Sequence, residues 1–138
     1  MLAVGYTSKG ERLEFNCSYC KLYCSYNDLV SLEIPDGVKT ISCGNNLLSE
    51  LILPEGVKTI SCFNNELSEL EISEGVTYVS CSDNKLTELI IPESVKEVYC
   101  HNNILTELII PDSVTLLSCD KEVSGLEELI GNVNIDLW

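Results

Sequence analysis

Residues 38–56 read VKTISCGNNLLSELILPEG, and residues 57–75 repeat the pattern as VKTISCFNNELSELEISEG. The pattern recurs every 19 residues, and cysteine marks it at Cys24, Cys43, Cys62, Cys81, Cys100 and Cys119. Asparagine follows three positions after the first five of these cysteines, at Asn27, Asn46, Asn65, Asn84 and Asn103. A fixed period of about 20 residues predicts a stacked solenoid, because one repeat cannot bury its own apolar face.

The repeat unit is V-x-x-I-x-C-x-x-N-x-L, followed by x-x-L-x-[IL]-P-[DE]-[GS]. It resembles the leucine-rich repeat with cysteine in the third apolar position, and its short period is similar to the bacterial type found in secreted effectors. The resemblance implies a leucine-rich-repeat solenoid of the right-handed β/α-superhelix class, with a parallel β-sheet on its concave face. Extended, turn or 3₁₀ segments should form the convex face, with little or no α-helix. Tyr19 departs from the pattern, since it opens the first core in place of valine.

Three parts are expected along the chain: an N-terminal edge or cap at 1–18, six repeats at 19–124 and an apolar C-terminal cap at 125–138. The sixth repeat is degenerate, because Glu122 and Ser124 replace its asparagine and leucine. Leu13 and Phe15 keep the register of the first repeat and predict an atypical first strand. The apolar residues expected to fold over repeat six are Leu126, Leu129, Ile130, Val133, Ile135, Leu137 and Trp138.

The spacing within a repeat predicts which side chains are buried. Ile41 and Cys43 are two residues apart and share one face of an extended segment, whereas Thr40 and Ser42 share the other. The asparagines predict an internal ladder of amides that bond loop backbone in their own and the next repeat. In-register cysteines should keep their Cβ atoms about 4.8 Å apart, further than the ~3.8 Å of a disulfide. Free thiols predict a reducing compartment, such as a cytoplasm, or a host cytosol if the chain is an effector.

Cys17 and Cys20 form a C-x-x-C pair, a spacing that zinc sites use. No second such pair is present, and the single histidine, His101, lies four repeats away. We therefore expect no metal and no cofactor, and we interpret both cysteines as part of the N-terminal edge. A metal-dependent redox role for Cys17 and Cys20 remains a third alternative.

The formal net charge of −14 is arranged in columns, that is, at the same position of successive repeats. One column, formed by Glu50, Glu69, Glu88 and Glu107, has no cationic neighbour in sequence. Such an acidic stripe attracts a basic partner or keeps the chain soluble. Its sign disfavours nucleic acid and anionic membrane surfaces, and no apolar run is long enough to span a bilayer.

The outward positions of the predicted sheet are mostly serine and threonine, interrupted by larger side chains. These candidate binding residues are Tyr23, Tyr26, Phe63, Tyr78, Tyr99 and His101. Exposed aromatic residues are over-represented in binding hot spots, and no nucleophile elbow or phosphate loop indicates an enzyme. The sequence predicts a non-enzymatic protein–protein interaction module that uses the concave face and its rims. The alternative is a structural, self-assembling protein that pairs through its ends, and we expect a monomer or an end-to-end dimer.

Overall fold

The computed structural model describes residues 1–126 and 133–138, and this part of the chain is a β-solenoid without helix. Its strands are β1 (Leu2–Thr7), β2 (Arg12–Asn16), β3 (Lys21–Tyr23), β4 (Leu29–Glu33), β5 (Thr40–Ser42), β6 (Thr59–Ser61), β7 (Tyr78–Ser80), β8 (Glu97–Tyr99), β9 (Leu116–Cys119) and β10 (Asn134–Leu137). The predicted solenoid is confirmed, since each turn of the repeat contributes one short strand.

Seven strands form one parallel sheet in the order β10-β9-β8-β7-β6-β5-β3. Paired residues of neighbouring strands are one 19-residue repeat apart, since Thr40 pairs with Thr59 and Ile41 pairs with Ile60. The predicted parallel sheet is therefore confirmed. Residues at the same repeat position stack along the solenoid, so a sequence column becomes a physical row of side chains.

The core lies behind this sheet and is continuous along the solenoid. The middle residue of each strand is fully buried at Leu22, Ile41, Ile60, Val79, Val98 and Leu117. The six periodic cysteines form a second buried row, and Cys17 of the N-terminal segment is buried as well. Tyr19 does not enter the core: it is 95% exposed on a tight turn closed by the Lys21 N–H donating to the Ser18 carbonyl.

An antiparallel hairpin covers the N-terminal end. Strands β1 and β2 pair with each other, and β1 also pairs with β4 on the outer side of the first repeat. Ala3 is fully buried, and Leu13 and Phe15 pack against the core. Strand β1 lies between β2 and β4 and is antiparallel to both.

The C-terminal end extends the sheet instead of only covering it. Strand β10 pairs in parallel with β9, with Asn134 opposite Leu116 and Leu137 opposite Cys119. Val133 packs against the core, whereas Leu137 and Trp138 are exposed. Residues Leu129 and Ile130, which the sequence analysis assigned to the cap, lie outside the described residues.

Candidate functional site: the exposed face of the parallel sheet

The outward side of the seven-stranded sheet, here called the sheet face, has a floor of small hydroxylated side chains. This hydroxyl floor consists of Thr40, Ser42, Thr59, Ser61 and Ser80, all half-buried. The floor follows from the alternation of a strand, because the residues on either side of each buried Ile or Val point outward. It offers hydroxyl donors and acceptors over three strands.

Tyr23 and Tyr26 flank the hydroxyl floor at the N-terminal end, where both are exposed. Tyr26 is 77% exposed and has a positive φ of 61°. The equivalent residues of the next four repeats also have φ between 53° and 55°, and they are Asn45, Asn64, Asp83 and Asn102. Asparagine and aspartate tolerate this left-handed conformation, whereas a bulky side chain there is strained. Tyr26 therefore strains the backbone at a position where the next four repeats use Asn or Asp, which tolerate positive φ.

The polar residues of this left-handed column form hydrogen bonds along the rim of the sheet face. The Asn64 amide donates to Asn45 Oδ1 at 2.7 Å, and the Asn102 amide donates to Asp83 Oδ1 at 2.9 Å. The sequence analysis missed this row, although the recurring Asn or Asp was a signal for positive φ. The rim is thus fixed by backbone geometry, and Tyr26 interrupts it at the first repeat.

Phe63 lies in the middle of the sheet face and is half-buried. Its ring covers Gly44 of the preceding repeat, where an added Cβ would lie 2.7 Å from Phe63 Cε1. Glycine at this position therefore makes room for the ring. The side chain is less exposed than the sequence alone indicated, because its ring packs on the preceding repeat.

Tyr78, Tyr99, His101 and Trp138 form a second aromatic group at the C-terminal end. The rings of Tyr78 and Tyr99 lie 5.7 Å apart at an angle of 43°. Burial raises the pKa of the Tyr78 hydroxyl, and the neighbouring Tyr99 and Glu97 add to the shift. The sequence analysis assigned Trp138 to the cap and missed its place on the sheet face.

The backbone beneath the sheet face is held by the periodic asparagines. The Asn84 amide donates to the carbonyls of Cys62 and Cys81, both at 3.1 Å. Its Oδ1 accepts the Leu67 N–H at 3.0 Å. Asn46, Asn65 and Asn103 make the corresponding bonds in their repeats.

The degenerate sixth repeat closes this asparagine series in a different way. The Asp120 carboxylate accepts the N–H groups of Asn102 and Asn103, at 2.8 and 3.2 Å. Glu122, which stands at the periodic asparagine position, is exposed. Asp120 thus pairs backbone donors where the repeat pattern fails, a role that the sequence analysis did not assign.

All eight cysteines are free, and Cys20 alone among them is exposed. Burial raises the pKa of the Cys24 and Cys100 thiols to about 12 and that of Cys119 to about 11. A neighbouring thiol adds to the shift at Cys24 and Cys100, and the Asp120 carboxylate adds to it at Cys119. Buried neutral thiols are poor nucleophiles and poor metal ligands. Among the described residues no group of three or more His, Cys, Asp or Glu side chains could hold a metal ion.

Comparisons with protein-family models, with curated proteins and with solved structures give no match. Within residues 1–126 and 133–138, no helix has the length and apolar character needed to cross a membrane. The sheet face itself is therefore the feature from which function can be inferred. Its floor can exchange hydrogen bonds, and the two aromatic groups offer apolar surface at opposite ends.

Proposed function

We propose that the chain is a leucine-rich-repeat solenoid that recognises a partner protein through its sheet face, without catalysis or a cofactor. The observation that carries the proposal is Tyr26, a large exposed side chain held in a left-handed backbone. Strained residues cluster at functional sites, where the cost is tolerated for the sake of binding. An asparagine or aspartate at this position would relieve the strain, so folding gives no reason for tyrosine.

The arrangement of the sheet face supports recognition by two separate anchor sites. Tyr23 and Tyr99 occupy the same position of the repeat, four strand spacings apart, a distance of about 19 Å. Between them lies the hydroxyl floor, which can pack against backbone and small side chains of a partner. Aromatic anchors supply much of the binding energy in protein interfaces, and surrounding polar contacts exclude water.

The buried, neutral thiols support a reducing environment for this interaction, because an oxidising one would favour disulfides in so cysteine-rich a chain. A cytoplasm is the compartment we propose, and a host cytosol if the chain is secreted as an effector. Cys20 is a free thiol on the surface.

Substitution of Tyr26 by asparagine tests the proposal without damaging the fold. Asn is the residue that the repeat itself uses at this left-handed position, so the variant should be as stable as the wild type or more stable. We expect proteins retained by wild-type chain in affinity capture to be lost with Tyr26→Asn and with Tyr78→Ala. The matched control is Ile52→Ser on the opposite side, which should retain them. Equal retention by all variants would show that the sheet face is not the binding surface.

Self-assembly through the ends is the second candidate function. Strand β10 is the last strand of the parallel sheet, and no described residue pairs with its other edge. An open strand edge presents unpaired N–H and C=O groups that can pair with another chain. Sedimentation velocity over a range of concentrations tests this alternative, with Leu137→Lys as the variant that should prevent association. A monomer at every concentration would reject it.

A further inference from the structure

A groove on the outer side of repeats four and five combines exposed isoleucines with carboxylates. We call it the outer groove and define it by Glu88, Ile90, Glu93, Glu107 and Ile109. Its volume is about 460 Å³, and it runs between the parallel outer segments of two successive repeats. It lies on the other side of the core from the sheet face, so it is a separate surface.

The isoleucines of the outer groove are unusually open to solvent. Ile90 and Ile109 are 72% and 77% exposed, and they stack because they are 19 residues apart. Single exposed apolar residues are ordinary on protein surfaces. Two that stack within a groove form a patch, and contiguous apolar patches mark interaction sites. The residue that stands at the same position in repeat three is Glu71, so the patch is confined to repeats four and five.

The carboxylates of the outer groove have no cationic partner within 4 Å in the described residues. The ion pairs found there join Arg12 to Glu14 and Lys85 to Glu66, and neither reaches the groove. Glu88, Glu93 and Glu107 are all exposed, and they surround the isoleucine pair with negative charge. An apolar patch framed by unpaired carboxylates is complementary to a surface that is apolar and positively charged.

We propose that the outer groove docks an extended, lysine- or arginine-rich segment of a partner protein whose alternate side chains are apolar. The apolar side chains cover Ile90 and Ile109, and the cationic ones face the three glutamates. An extended segment fits because the groove follows the direction of two extended outer segments. A second copy of this chain does not fit, because its own outer face would bring carboxylates against carboxylates.

Fluorescence anisotropy with labelled peptides of about nine residues tests this proposal on the full chain. The probes alternate Lys and Leu, Glu and Leu, or Lys and Ser. We expect saturable binding of the Lys–Leu peptide, weakened by added salt. The double variant Ile90→Ser with Ile109→Ser should weaken it at least about tenfold. The matched control Ile52→Ser removes an isoleucine of equal exposure two repeats away and should leave the affinity unchanged.

Four outcomes would overturn the proposal. One is the absence of saturable binding up to about 1 mM Lys–Leu peptide. Equal binding of the Lys–Ser peptide would show that charge attraction alone accounts for the binding. Equal binding of the Glu–Leu peptide would show that the carboxylates of the outer groove do not contribute to it. Loss of binding in Tyr26→Asn would show that the peptide binds to the sheet face and not to the outer groove. Circular dichroism spectra that match the wild type exclude misfolding of the double variant.

Discussion

The indole of Trp138 stacks on the imidazole of His101, with ring centroids 4.2 Å apart and planes within 12° of each other. The Trp138 Nε1–H donates to Ser118 Oγ at 2.8 Å, which fixes the indole over the neighbouring strand. Because β10 continues the parallel sheet, Trp138, which follows it, lies on the sheet face beside Ser118. The second aromatic group therefore depends on β10, the strand that leads to Trp138.

Removal of the imidazole should loosen the indole. In His101→Ala, Trp138 loses its stacking surface, which contributes about 0.5–1.5 kcal/mol in aromatic pairs. We expect the fluorescence emission of this tryptophan, the single one in the chain, to shift to longer wavelength. Tyr23→Ala, at the other end of the sheet, is the control and should leave the emission unchanged. An unchanged spectrum in His101→Ala would contradict the stacked arrangement.

The periodic asparagines should contribute strongly to stability. Asn84→Ala leaves the Leu67 N–H without its acceptor. It also removes one of the two amide donors to the Cys62 and Cys81 carbonyls, which keep those of Asn65 and Asn103. A buried unpaired N–H costs about 1–3 kcal/mol and each lost hydrogen bond about 1 kcal/mol, so we expect the free energy of unfolding to fall by about 3 kcal/mol in urea titrations.

The control for this substitution is an asparagine on the exposed rim. Asn64→Gly keeps the left-handed backbone and removes an exposed bond to Asn45. It should change the free energy of unfolding by less than about 1 kcal/mol. Similar losses in both variants would show that the buried amide has no special role.

The solenoid was predictable because the same residue types recur every 19 positions. Ile41 and Ile60 are 19 residues apart, and the structure pairs them directly. Features confined to one copy were not predictable in this way. Tyr19 occupies a valine position, yet a turn with positive φ at Tyr19 and Cys20 moves it to the surface. The stacking of Trp138 on His101 joins residues 37 positions apart, outside the repeat register. Such contacts depend on tertiary packing rather than on spacing.

The buried thiols predict that stability falls at alkaline pH. Burial raises the pKa of Cys62 and Cys81 well above the ordinary value. Above about pH 8.5 the unfolded chain loses these protons, whereas the folded chain keeps them until pH rises toward their raised pKa values. Stability contributed by each neutral thiol is complete below about pH 8.5 and declines by up to about 1.4 kcal/mol per pH unit above it. Urea titrations under reducing conditions between pH 8 and 10.5 measure this slope.

A variant that lacks one buried thiol separates this effect from other alkaline titrations. Cys81→Ala should be less stable at neutral pH because it leaves a cavity. Its free energy of unfolding should then fall less steeply with rising pH than that of the wild type. Cys20→Ser, which alters the exposed thiol, should keep the wild-type slope. Identical slopes in all three chains would contradict the assignment to buried thiols.

The contact between Gly44 and Phe63 predicts that substitutions at these two residues have coupled effects on stability. In Gly44→Ala the new Cβ would lie 2.7 Å from Phe63 Cε1, so the ring must move. We expect a loss of about 1–3 kcal/mol in the free energy of unfolding, as for other overpacked sites. In the Phe63→Ala background the same substitution meets no ring and should cost much less. A double-mutant cycle from urea titrations measures this coupling. Additive losses would mean that the ring does not rest on Gly44, and that Phe63 is free to extend from the sheet face.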